Sequence, residues 1–323
     1  MVATRSIDQN HCDVSTDNAD VLDAVGNPNV VETAGLTKRF GEATVVREVE
    51  MRVPGGTAFG YLGPNGAGKT TLIRMLLGLI RPTSGSMRLL GLPVPARRRE
   101  ALARVGAIVD EPRFHAHMTG RQNLWALAAA REPEAHTRID AALERVGLRE
   151  RADDRVAKYS MGMRQRLGIA ACLIADPELL ILDEPMNGLD PAGILEFREL
   201  VRALIAEGRT VVLSSHLLDE VEKTCDAIAI VDRGRVVVQG SIDELTGDAE
   251  TVLVATSDDL RARALLNGTA EVVDDGLRVR AADAAAINRR LVEAGIDVHR
   301  LEPERVSLER RFLEITSRLE VAA

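Results

Sequence analysis

This 323-residue sequence is short of several things that define large functional classes. It has three cysteines, Cys12, Cys172 and Cys225, too few and too scattered for a disulfide framework or a zinc cluster. Cys172 sits among Ala and Ile, the setting of a buried, inert thiol. Aromatic residues make up 2% of the chain and the net charge is −8, which argues against nucleic acid, whose binders use basic stripes and stacking rings. No apolar run approaches the roughly 20 residues of a membrane span. The longest candidate, around Leu167–Ala175, ends at Asp176-Pro177. The first 30 residues carry one Arg and five Asp and no apolar block, so no signal peptide is expected and the chain is expected to stay on the cytoplasmic side.

What is there is enough for a sizeable core, with 46% apolar and 28% charged residues. Charge is uneven: residues 1–30 sum to −4, 31–240 to +2 and 241–323 to −6. Residues 1–29 are polar and aperiodic, the composition of a disordered tail. Over 30–240 short apolar strands alternate with helices, the rhythm of an α/β sheet. Ala58–Leu62, Leu179–Leu182 and Thr210–Leu213 read as buried strands, and Lys69–Ile80 as a helix with Leu72, Met75, Leu76 and Leu79 on one face. Residues 97–175 turn mainly helical, an insertion into the sheet, with Arg97-Arg98-Arg99 as a solvated helix start and Gly147 as a stop. Asp190-Pro191 supplies an N-cap and a first-turn proline.

After Gly240 the rhythm changes. Ser241–Leu245 reads as a capped helix ended by Gly247. Then follow strand 250–256, helix 258–266, strands 270–274 and 277–281, helix 283–294, strand 296–301 and helix 306–319. The β-α-β-β-α-β order predicts a small α+β ferredoxin-like appendage over 241–323.

Chemistry concentrates in Gly63-Pro64-Asn65-Gly66-Ala67-Gly68-Lys69-Thr70, followed by Thr71. It fits G-x-x-x-x-G-K-[ST], of which this composition would produce about 0.002 by chance, and it lies between a strand and a helix. Such glycines let backbone N–H groups converge on phosphate oxygens, and the helix N-terminus adds partial positive charge. Lys69 is one of four lysines against 37 arginines; a compact ammonium reaches between β- and γ-phosphates where a planar guanidinium fits poorly. Thr70 offers a hydroxyl to Mg²⁺. Further on, Leu179–Leu182 runs into Asp183-Glu184-Pro185. A buried strand thereby delivers two acids to its C-terminal end, where α/β sheets bind ligands. Asp183 suits the Mg²⁺ shell, and Glu184 is placed to polarise a water for in-line attack on the γ-phosphate.

Further segments make the chain resemble an ATP-binding cassette (ABC) ATPase. Ser160-Met161-Gly162-Met163-Arg164-Gln165 is similar to that family's signature motif, with Met161 in place of the usual first glycine, ahead of a helix expected over Gln165–Ala175. The resemblance implies that Ser160 and Gly162 contact the γ-phosphate held by a second copy. Asn187-Gly188-Leu189-Asp190 resembles the loop lining the same dimer seam, which brings Asp190 to the nucleotide. His216 matches the switch histidine that senses the γ-phosphate. Phe40 resembles the aromatic that stacks on adenine, although its pattern also fits a core phenylalanine. The family usually has a glutamine where this chain has Asp110 in Val109-Asp110-Glu111-Pro112. An acid there resembles the antibiotic-resistance and lantibiotic-immunity branch of the exporters, and implies a metal contact, direct or through water.

Leu308–Glu314 resembles the C-terminal helix of exporter subunits in that branch. A single phosphate loop and the absence of a long heptad run set the chain apart from the twin-cassette and coiled-coil relatives. The fold implied is an α/β phosphate-loop ATPase domain with a helical subdomain at about 97–175 and the appendage. The function implied is the ATP- and Mg²⁺-binding subunit of a bipartite exporter, possessing no spans of its own. A homodimer would act on a separate membrane permease through the segment Arg113, Phe114, His115, His117 and Met118, from the inner face of the membrane. His115 and His117 alone, at i and i+2 without a third ligand, do not make a metal site. The alternative is a soluble ABC-type switch that acts on a protein partner without transport.

Overall fold

The computed structural model describes residues 29–247, 251–266, 270–274, 276–280, 283–304 and 307–313. The chain divides into two compact units. Among the described residues, one is formed by those up to His216 with Lys223–Gly240, the other by Leu217–Glu222 with those from Ser241 onward.

In chain order the elements of the first stretch are β1 (Asn29–Phe40), β2 (Ala43–Pro54), β3 (Ala58–Leu62), α1 (Lys69–Leu76), β4 (Ser84–Leu89), β5 (Leu92–Val94), α2 (Arg98–Ala103), β6 (Val105–Ile108), α3 (Gly120–Ala128), α4 (Ile139–Arg145), α5 (Met161–Leu173), β7 (Leu179–Leu182), α6 (Pro191–Ala206), β8 (Thr210–Ser215), α7 (Leu218–Thr224), β9 (Ala227–Asp232) and β10 (Arg235–Ser241). They build two sheets, β2-β1-β4-β5 and β10-β9-β3-β8-β7-β6. The first is antiparallel; in the second, β9, β3, β8, β7 and β6 run parallel. Every residue of β3, β7 and β8 is buried, which is why these strands read as unbroken apolar runs rather than as alternating patterns. Between the sheets, Leu36, Met51, Phe59, Tyr61, Met87, Leu89 and Ile181 form one core with Leu72, Met75 and Leu76 of α1. The i, i+3, i+4 spacing of those three puts them on a single face, and each buried side chain of this size stabilises by about 1.5–3 kcal/mol.

Four local expectations are corrected. α1 ends at Leu76, not Ile80, because Gly78 takes a left-handed backbone (φ +62°). Leu79 therefore leaves the apolar face and is 54% exposed. The interval 97–175 contains β6, a strand of the main sheet paired with β7, so it is not helical throughout. α5 begins at Met161 rather than Gln165, which makes the Ser160–Gln165 segment the first turn of the helix instead of its approach. β8 continues past Leu213 to Ser215. The proposed tail lies outside the described residues apart from Asn29, the first residue of β1.

The second unit continues with α8 (Ile242–Thr246), β11 (Thr251–Thr256), α9 (Asp259–Leu265), β12 (Ala270–Val273), β13 (Gly276–Arg280), α10 (Ala284–Glu293) and β14 (Val298–Glu304). Ser241 and Glu244 close a capping box on α8, and Gly247 (φ +69°) ends it. Its antiparallel sheet has the order β12-β13-β11-β14, the split β-α-β-β-α-β arrangement expected of a ferredoxin-like unit. Val252, Val254, Leu277, Val279, Ile287 and Leu291 make its core. The chain is helical again over 308–313, where the buried Leu308 donates its N–H to Glu222 Oε2 at 3.0 Å; the rest of the helix expected to reach 319 lies outside the described residues.

Candidate nucleotide site

The site forms where parallel strands end side by side. Leu62 of β3 lies opposite Ser215 of β8, and Leu182 of β7 opposite Leu213, so the loop after β3, the acids after β7 and the residues ending β8 meet at the C-terminal edge of the sheet. Residues 63–68 connect β3 to α1. A Cβ on Gly63 would fall 2.4 Å from the Val231 carbonyl oxygen, and Gly68 has φ +96° with the Val45 carbonyl oxygen 2.7 Å from any added Cβ. Only glycine fits either position.

Lys69 is 6% exposed. Its Nζ donates to the Gly63 carbonyl at 2.6 Å and lies 3.3 Å from Glu184 Oε1. The next residue, Thr70, donates its hydroxyl to Asp183 Oδ2 at 2.7 Å. Glu184, held at φ +47°, has its other carboxylate oxygen 2.9 Å from His216 Nδ1. Lys69, Glu184 and His216 thus form one polar line beside the Thr70–Asp183 pair. A cleft of ≈ 280 Å³ opens on Lys69, Thr70 and Glu184 and is lined also by Pro64, Asn65, Gly66 and Thr71. A buried ammonium at the positive end of a helix, paired with one carboxylate and next to a hydroxyl bonded to a second, is a set of groups suited to a phosphate chain and a hard cation.

The structure places the remaining expected residues as follows. Phe40 is 51% exposed, with Lys38 Nζ 4.9 Å from its ring centroid; this removes the core reading and leaves an open aromatic face. Ser160 caps α5, accepting from Met163 N at 3.2 Å. Gly162 sits against Leu189, so the first turn of α5 packs on the 187–190 segment. Asp190 caps α6 through Gly193 N at 2.9 Å. Asp110 has its carboxylate on Arg74 Nη2 at 2.6 Å, whereas Thr70 and Asp183 contact each other. His115 and His117 have ring centroids 5.8 Å apart.

Two site residues escaped the sequence reading. Ser214 ties the acids together, donating its hydroxyl to Asp183 Oδ1 at 2.5 Å and accepting from Glu184 N at 2.9 Å. The available signal was a serine pair ending an otherwise apolar strand. Arg74 is the other, and its signal was its place one helical turn after Thr70. Cys172 is buried, and desolvation pushes its thiol up to about 12.

Residues 46–187 match the ABC transporter family. The bacitracin transport ATP-binding protein BcrA of Bacillus licheniformis is 40% identical over 296 residues, covering 88% of this chain and 97% of that protein. The daunorubicin resistance ATP-binding protein DrrA3 of Streptomyces coeruleorubidus is 37% identical over 297 residues, covering 87% and 94%. Among solved structures, cbiO1 of Clostridium perfringens, part of the ABC transporter complex cbiONQ, superposes with a TM-score of 0.62 at 28% identity, covering 68% of this chain and 91% of that one. With these likenesses spanning nearly the full length of the relatives and the phosphate-loop geometry at their centre, the chain belongs to the ATP-binding proteins of ABC transporters and is an ATPase.

Proposed function

We propose that the chain is the ATP-hydrolysing subunit of a bipartite exporter, in which two copies close around ATP and drive a separate membrane permease. The observation that supports the chemistry most directly is the line from Lys69 through Glu184 to His216 beside the Thr70–Asp183 pair. In this reading Lys69 and the amides of 63–70 hold the β- and γ-phosphates. Glu184 takes the proton of the attacking water, and His216 orients Glu184 through Nδ1. Thr70 and Asp183 would hold Mg²⁺, which when bound neutralises phosphate charge. Phe40 offers its exposed face to the adenine.

Ser160 and Gly162, at the positive end of α5, would meet the γ-phosphate of the other copy, and Asp190 would approach it from the same seam. A γ-phosphate bridging two copies binds the closed state better than the open one, and that difference in affinity is what moves the permease. Among the described residues no helix is long and apolar enough to cross a membrane, which supports a peripheral place on the inner face beside a permease. The likeness to bacitracin transport and daunorubicin resistance subunits supports a drug or antibiotic as cargo.

The test is a pull-down of tagged Glu184→Gln chain from detergent-solubilised membranes, with and without Mg-ATP. Co-purification of a multi-span membrane protein is the expected result. Its failure in several mild detergents, with ATP-dependent dimerisation intact, would transfer the chain to the soluble switches.

A further inference from the structure

The loop that follows β6 is held at both ends. At its start, Ile108 accepts the N–H of Asp183 at 2.9 Å, so the strand end is bonded directly to the acid that contacts Thr70. Two residues on, Asp110 adopts a left-handed backbone (φ +59°) and sets its carboxylate on Arg74 Nη2 at 2.6 Å. Arg74 stands four residues after Thr70 on α1, on the same helix face. At the other end of the loop Pro112 packs on α5: a Cβ added to Gly168 would lie 2.7 Å from Pro112 Cγ and 3.1 Å from Ile108 Cδ1. Only a glycine lets the helix backbone approach this closely, and the N-terminus of that helix is capped by Ser160.

We propose that Arg74 is a positioning residue of the ATPase: by holding Asp110 it fastens the 109–114 loop to the phosphate-loop helix, and so links α1 to α5. The acid at position 110 acts through this ion pair. Three observations converge on it. The carboxylate is engaged by a guanidinium of α1. Its left-handed backbone, rare outside glycine but tolerated by Asp, aims it there. The far end of the same loop is wedged against Gly168. Both side chains are largely exposed, at 43% and 59%, so the pair adds little to global stability; what it sets is where the loop lies relative to Thr70 and Lys69. This inference rests on ATP hydrolysis alone and holds whether or not a permease is the partner.

The experiment is a double-mutant cycle in the full-length chain with Arg74→Ala, Asp110→Ala and the double variant. Steady-state kcat and KM for ATP are read alongside equilibrium binding of a fluorescent ATP analogue and thermal unfolding without nucleotide. Each single change is expected to lower kcat by about three- to tenfold, with the double variant no worse than the poorer single one. KM, analogue affinity and melting temperature should shift little. Arg74→Lys, which keeps the charge, should recover most of the rate and Arg74→Gln should not. Losses that multiply in the double variant would overturn the proposal. So would an unchanged kcat in Arg74→Ala, or equal rates for the Lys and Gln variants. Should Asp110→Ala prove unstable, the comparison of Lys with Gln at position 74 decides the question by itself.

Discussion

The Ser214 hydroxyl donates to the Asp183 carboxylate at 2.5 Å while accepting the N–H of Glu184 at 2.9 Å. One fully buried side chain on β8 therefore orients the two consecutive acids that end β7. Asp183 is bonded on both oxygens, Oδ1 by Ser214 and Oδ2 by Thr70, so its plane is set by groups from two different elements.

Ser214→Ala removes a donor and an acceptor inside the sheet and leaves the Asp183 Oδ1 and Glu184 N–H without this partner. Stability should fall by about 1–3 kcal/mol, the cost of an unsatisfied buried polar group, and kcat should fall with it. Thermal unfolding and steady-state ATP hydrolysis check this; wild-type values for both would show that the acids are held by their own backbone.

Glu184→Gln keeps an oxygen and an amide in the reach of Lys69 and His216 but loses the basic carboxylate. ATP binding should persist while turnover drops by about 10²–10⁴-fold, the range of a lost general base. Binding of ATP measured by fluorescence beside phosphate release separates the two, and normal release would remove Glu184 from the water-activating role.

Lys69→Ala and Phe40→Ala should weaken nucleotide binding in different ways. Loss of Lys69 removes the buried cation and leaves Glu184 without it, so both ADP and ATP should bind at least about tenfold more weakly. Phe40 is half exposed and outside the core, so its loss should leave the melting temperature unchanged. It should weaken all adenine nucleotides alike, by about 1–3 kcal/mol if the ring stacks on the base. Titration calorimetry with ATP, ADP and inorganic triphosphate distinguishes them, because triphosphate affinity should depend on Lys69 and be indifferent to Phe40.

Burial raises the Cys172 thiol to about 12 and raises Cys225 as well, so both stay protonated across the neutral range and are shielded from reagents. Iodoacetamide at pH 8 should label neither in the folded chain and both after denaturation, as read by peptide mass spectrometry. Native labelling of Cys172 would mean that the β6–α5 contact, where a Cβ on Gly106 would lie 2.7 Å from Cys172 Cβ, opens in solution.

Much of the site was legible because its signals are local. A phosphate loop must be glycine-rich where its backbone turns, and it must open a helix; both requirements fall within a few consecutive residues, so Gly63–Thr70 could be read directly. The acids at 183 and 184 were legible for a similar reason, since an all-apolar tetrapeptide is a buried strand and its end is where such sheets bind ligands. Asp190 and Ser241 announced helix starts through side chains that satisfy free amides. The order of elements after Gly240 also followed from short-range periodicity.

Tertiary structure decided what depends on residues distant in sequence. Periodicity carried α1 on to Ile80, but the left-handed turn at Gly78 released Leu79 to solvent. Four residues of β6 inside a helical interval became a strand only because β7 lay open to pair with them. A core place for Phe40 stayed open beside the adenine-stacking one until the sheets were packed and left its ring half exposed. Ser214 and Arg74 gained their parts from partners 31 and 36 residues away, across strands and across a helix-to-loop gap that no window of sequence spans. Local composition determined the glycine-rich loop, the lysine that opens α1 and the acids that end β7, because backbone conformation and helix ends are short-range. The third dimension decided which carboxylate faces Thr70 and which faces Arg74, because hydrogen bonds and ion pairs act over only a few ångströms of space whatever the separation along the chain.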